Sequence, residues 1–139
     1  MLEKFLELIL KLPNLEHYLV FTNDGTILQT SFQAPSNVPK MGENLSGITS
    51  LFDKVLEYGQ FHDEKVQRRI IMTNHHVFAI EMVDQRTNAC LVFKWETFTP
   101  EAFYDLVKLL EKFEIQILET FNAELVKKAR HEFAQVVKS

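Results

Sequence analysis

The chain has 139 residues and a formal net charge of −4, from 15 basic and 19 acidic side chains. Hydrophobic residues make up 46% and charged residues 24%, with four glycines and four prolines, which excludes a disordered or collagen-like chain. One cysteine excludes an internal disulfide, and the acidic balance argues against sequence-independent phosphate binding.

A chain of this length suits one domain and buries roughly 68% of its unfolded surface, so neither metal nor disulfide is needed to hold it. Twelve phenylalanines point to a well-filled core or an apolar interface. No apolar run reaches the ~18 residues of a membrane helix. Met1 to Pro13 carries Glu3 and Glu7 and no small-residue cleavage site, unlike a secretory leader. The expectation is a cytoplasmic protein without membrane insertion.

Leu2, Phe5, Leu6, Leu8, Ile9 and Leu12 recur at helical spacing, so Met1 to Leu12 reads as a short amphipathic helix stopped by Pro13-Asn14. His17 to Thr22 and Thr26 to Phe32 read as strands. Asn23-Asp24-Gly25 between them supplies the positive φ of a tight hairpin. Gln33 to Asn44 holds Pro35, Pro39 and Gly42 and reads as a loop. Ser46 then caps a helix through Ile48, Leu51, Phe52, Val55 and Leu56, ending near Gly59. Ile48, Phe52, Val55 and Leu56 are expected to face a sheet, while Leu51 and Tyr58 form a second apolar set.

Three strands are expected next: Val66 to Thr73, Val77 to Val83 and Ala89 to Trp95. The last two are the more continuously apolar, as central strands are. Thr99-Pro100-Glu101 opens a helix with a capping hydroxyl, an early proline and an acid near the positive helix end. Its apolar positions continue from Phe103 to Val136. Thirty-nine residues from Thr99 to Val137 would span about 58 Å as one helix. That exceeds the ~40 Å diameter of a compact domain. The helix must therefore break, with Asn122 the candidate, or extend beyond its own domain. The expected class is α+β, with a five-stranded antiparallel sheet in the order helix, two strands, helix, three strands, long helix.

No arrangement of chemical groups stands out. His75 and His76 are neighbours, and neighbours on a strand point to opposite faces. His17, His62 and His131 lack a His or Cys partner at ligand spacing. Cys90 lies in the apolar run Ala89 to Phe93, with nothing cationic beside it to activate the thiol. No nucleophile elbow, zinc-protease signature or phosphate loop occurs. Arg68-Arg69 reads as strand-edge protection or an interface rim rather than a nucleic-acid site. The expectation is no catalytic, metal-binding or cofactor-binding residue. The surviving signals, the two-faced middle helix and the overlong last helix, both concern partners.

The pattern Leu6-x-x-Ile9-x-x-Leu12-Pro13-x-Leu15, followed by Tyr18 to Thr22, Asn23-Asp24-Gly25 and Ile27 to Ser31, resembles the opening of the roadblock family, the dynein light-chain-like domains. The resemblance covers Leu2 to about Val107. It implies residues 1–139 as a single domain with 108–139 as a C-terminal helical extension. It also implies a non-catalytic homodimer that binds a Ras-like small GTPase or a multiprotein complex. In that family the middle helix and the following strand pair across a two-fold axis. The matching interface positions are Ile48, Leu51, Val55 and Tyr58 on the helix, with Val66, Arg68, Ile70 and Met72 on the strand. The competing readings are a PAS-like small-ligand sensor with a signalling helix, which usually has several helices in the middle, and a small acidic dimeric secretion chaperone, which needs a third strand before the middle helix.

Overall fold

Three hairpins and a close helix–turn contact organise the sheet. The computed structural model describes residues 2–66, 68–95 and 99–138, with side chains excepted at 2, 120–129 and 131–138. β1 (Leu15–Thr22) returns as β2 (Ile27–Thr30) through Gly25, which sits at φ 91°, a backbone region open to glycine at little cost. The Asp24 carboxylate accepts the Thr22 hydroxyl and the Thr26 N–H. These hydrogen bonds, the Thr22 one first, hold its pKa below the ordinary 3.8.

β3 (Arg69–Met72), β4 (His76–Met82) and β5 (Thr87–Lys94) complete an antiparallel sheet in the order β2-β1-β5-β4-β3. The α+β class and the element order match the expectation. Cys90 stands at the centre, opposite Leu19 on β1 and Ile80 on β4. Leu19, Phe21, Ile80, Cys90 and Val92 pack together on one face. Val20, Val77, Ala79, Ala89, Leu91 and Phe93 alternate with them and are also buried. Burial on both faces explains the continuous apolar runs of the central strands. β3 is half the length expected: residues 66 and 68 lie outside it, and residue 67 lies outside the described residues.

The helix α2 (Val38–Tyr58) overturns two expectations. It begins inside the stretch read as a loop, and Ser46 sits within it rather than capping it. Pro39 falls in the first turn, where a missing N–H costs nothing because no helical carbonyl awaits it. Gly42 is no breaker here. A Cβ on it would lie 2.4 Å from the Gly25 carbonyl oxygen and 2.5 Å from Ile27 Cδ1, so only glycine lets α2 settle on the first hairpin. The helix does end at Gly59, but with φ −78°; the left-handed residue is Gln60, at 59°.

Asn23 ties three segments together. Its N–H donates to the Arg86 carbonyl (3.1 Å) and its side-chain amide to the Gln85 carbonyl (2.9 Å). Its side-chain oxygen accepts from Asn88 (2.8 Å), and its backbone carbonyl accepts the Ser46 hydroxyl of α2. One residue thus joins the β1–β2 turn, the β4–β5 turn and α2.

Contacts divide the chain into two units, Asn14–Thr97 and the terminal pair Met1–Pro13 with Phe98–Ser139. The first holds the sheet and α2. The second holds α1 (Leu2–Ile9) and α3 (Pro100–Lys138). Thr99 caps α3 as expected, its hydroxyl accepting the Ala102 N–H at 3.1 Å. Leu106, Leu110, Phe113 and Ile117, alternately four and three apart, form a buried stripe. Phe5 of α1 meets Phe113 with ring centroids 5.8 Å apart. The break considered at Asn122 does not occur: α3 is one helix of 39 residues, about 58 Å long. No helix among the described residues is long and apolar enough to cross a membrane.

Candidate protein interface

A helix turns about 100° per residue, so a 21-residue helix shows every face, and the sheet can cover only one. On α2 the inward stripe is Val38, Met41, Leu45 and Thr49, which pack on or beside the sheet core. The stripe expected to face inward is displaced. Phe52 and Val55 are about half exposed and Ile48 is exposed, while Leu56 is half-buried. Hydrophobicity points to the other stripe because the inward face also holds Gly42 and ends on Thr49, both buried.

The apolar residues left outside form one band. Ile48, Leu51, Phe52, Val55 and Tyr58 recur every three or four positions, with Leu51 63% and Tyr58 82% exposed. Isolated exposed apolar side chains are ordinary, but five on one helical stripe are a patch. The strand after α2 is the open edge of the sheet, and Ile71 and Met72 are exposed on it. Ile70 is half-buried, opposite Ala79.

The eight expected interface residues therefore fall into two groups. Ile48, Leu51, Val55, Tyr58 and Met72 are exposed, while Val66, Arg68 and Ile70 are half-buried. Phe52 and Ile71 belong with the exposed group and were not among the eight; Phe52 had been assigned to the sheet. The two arginines, read as edge guards, have partners within the chain. Arg68 Nε donates to Glu81 Oε1 at 3.0 Å, and Glu81 is 3% exposed. A carboxylate that deep needs such a cation, since an unpaired buried charge is costly. Arg69 donates to the Thr49 carbonyl (3.3 Å) and lies 3.9 Å from an Asp53 oxygen.

Two of the histidines hydrogen-bond within the chain. His76 Nε2 lies 2.8 Å from Glu16 Oε2, and His17 Nδ1 lies 3.2 Å from Ser31 Oγ. Burial pushes the Cys90 thiol up to about 12, so it keeps its proton near neutral pH and is a poor nucleophile. Among the described residues, no three His, Cys, Asp or Glu side chains stand where they could hold a metal ion. What the molecule offers is exposed apolar area on α2 and on the edge strand β3.

No family model matches the sequence, and no curated protein matches it. Solved structures do resemble the fold. A roadblock/LC7 domain from Streptomyces avermitilis superimposes with a TM-score of 0.56 at 15% identity, over 81% of this chain and 92% of that one. Myxococcus xanthus MglB gives 0.61 at 11% identity, over 84% and 96%. An MglB structure described as having a tetrameric arrangement gives 0.59 at 11% identity, over 85% and 90%.

Proposed function

The chain has a roadblock-type fold, and on that premise we propose that it is a non-catalytic homodimeric scaffold for a Ras-like small GTPase or a multiprotein complex. The observation that carries the reading is the exposed apolar stripe of α2, in a chain whose β3 is an edge strand bearing the exposed Ile71 and Met72. A surface that meets its own copy across a two-fold axis must complement itself, and an apolar helix stripe and a strand edge do so without any matching of charge. Helix would pack on helix, and each β3 would find a hydrogen-bonding neighbour. Leu51, Val55 and Tyr58 are the central contacts. Ile48, Phe52, Ile70, Ile71 and Met72 surround them, with Val66 and Arg68 leading into the strand. In this reading residues 1–139 act as one domain, with 108–139 as its C-terminal extension, and the site of action is the cytoplasm. The GTPase partner rests on the family resemblance.

The competing folds fit less well. Residues 31–37 lead from β2 into α2 through a bend and turns, where the secretion chaperone needs a strand. One continuous helix stands where PAS-like sensors have several.

Light scattering behind a sizing column tests the dimer. The full chain is expected at twice its own mass and Leu51→Asp at the monomer mass, with an unchanged circular dichroism spectrum. A monomeric wild-type chain, or a Leu51→Asp variant that stays dimeric, would overturn the interface. Nucleotide-dependent retention of a purified small GTPase tests the partner.

A further inference from the structure

Protein interiors hold few voids larger than a water molecule. Between α2 and the sheet lies a cavity of about 230 Å³. Leu19, Cys90 and Val92 line it from the sheet, Phe32 and Phe78 flank them, Leu45 and Asn44 line it from the helix, and it is partly open to solvent. The surface facing the space is wholly apolar. Water in it finds no polar partner on the protein side, so an apolar ligand displaces it without loss of hydrogen bonds. An apolar engineered cavity of only ~150 Å³ stays dry and takes up benzene.

Each flanking aromatic ring contacts a histidine. The Phe32 ring stacks on His17 at 4.4 Å and 16°, and His17 is in turn held by Ser31. Phe78 lies against His76 (6.3 Å, tilted by 53°), which is tied to Glu16. These contacts favour the arrangement that leaves the space open. Apolar cavities recognise size and the absence of charge.

We propose that this cavity binds one small, uncharged, apolar molecule, of the size of one or two aromatic rings or a short acyl chain. The site adjoins the proposed dimer contact at Ile48, while Leu51, Val55 and Tyr58 of that contact do not line it. Cys90 reports on it directly, because it is the chain's single cysteine and lines the cavity.

Naphthylamine, uncharged near neutral pH and fluorescent in apolar surroundings, is a suitable probe for the full chain. Saturable binding of one molecule per chain is expected. At saturation the reaction of Cys90 with dithiodipyridine should slow by at least about threefold, because ligand binding lowers the population of open states. Cys90→Phe, which fills the space, should weaken binding by at least about tenfold, roughly the loss of one good apolar contact set. Leu51→Asp, which alters only the outer stripe, should leave binding intact. Binding lost in Leu51→Asp but kept in Cys90→Phe would place the probe on the surface and overturn the proposal. Absence of saturable binding, as when a second copy closes the cavity, would also overturn it. Should Cys90→Phe not fold by circular dichroism, protection of Cys90 in the unaltered chain decides alone.

Discussion

The two halves of α2 solve the same problem in opposite ways. From Val38 to Thr49 the helix is drawn onto the sheet. Gly42 lets its backbone touch the first hairpin, and Ser46 hydrogen-bonds to Asn23. From Leu51 to Tyr58 every apolar residue except the half-buried Leu56 is exposed. The near half gains stability from small residues and close approach. The far half carries bulk that the chain itself does not cover. A helix can thus be richest in large apolar side chains where it contributes least to its own fold.

Substitutions can break that contrast. Gly42→Val should have the largest effect, a loss of about 3 kcal/mol, because its side chain meets the Gly25 carbonyl as well as Ile27, and the backbone oxygen cannot swing aside as a side-chain end can. Urea unfolding would measure it, and a loss below about 1 kcal/mol would mean that α2 can lift without penalty. Leu51→Asp should weaken self-association by about 2 kcal/mol or more, as a central interface residue does. It should change the unfolding free energy of the isolated chain by no more than about 0.5 kcal/mol, since the side chain is already exposed. Sedimentation equilibrium and urea melts separate those quantities. An equal loss in both would show that the far half serves the fold after all.

Ser46→Ala sharpens the contrast from the near half. It removes one hydrogen bond to Asn23, a loss of about 1 kcal/mol that melting should detect. The smallest effect belongs to Asp24 in the hairpin that receives the helix. Its pKa is lowered on folding, so the folded state binds that proton less readily than the unfolded state. Its contribution is therefore complete above about pH 3.8 and fades as pH falls through the lower folded value. Carboxyl titration by nuclear magnetic resonance should place Asp24 below 3.8, and Thr22→Ala should move it up. A titration at or above 3.8 in the unaltered chain would remove the hydrogen-bond explanation.

How far the fold was legible follows from the same residues. The Asp24-Gly25 hairpin, the apolar central strands and the Thr99 cap each have a local cause, and each was readable. The start of α2 was not. Pro35, Pro39 and Gly42 signal a loop to any local rule. Only the first-turn position of Pro39 and the distant contact of Gly42 with Gly25 make them compatible with a helix. The inward stripe was misassigned for a related reason: side-chain bulk does not reveal which of two apolar stripes meets a sheet. At the interface, Leu51 and Tyr58 stood out as surplus. Phe52 and Ile71 did not, because their exposure depends on how α2 is rotated and on where the sheet ends. The cavity at Cys90 had no sequence signal, since it is set by how α2 meets the sheet and by ring contacts such as that of Phe32 with His17, fifteen positions away.

Asn23 has a consequence in time rather than in stability. Its side-chain bonds reach Gln85 and Asn88, separated from it by 62 and 65 positions. Chain closure over such spans carries its entropic cost before any bond is gained, so contacts of this kind tend to form late in folding. Contacts absent from the transition state leave the folding rate nearly unchanged and slow the reverse step. Replacing Asn23, the residue that clasps two turns to a helix, is therefore expected to speed unfolding more than it slows folding, shortening how long the native sheet lasts once formed.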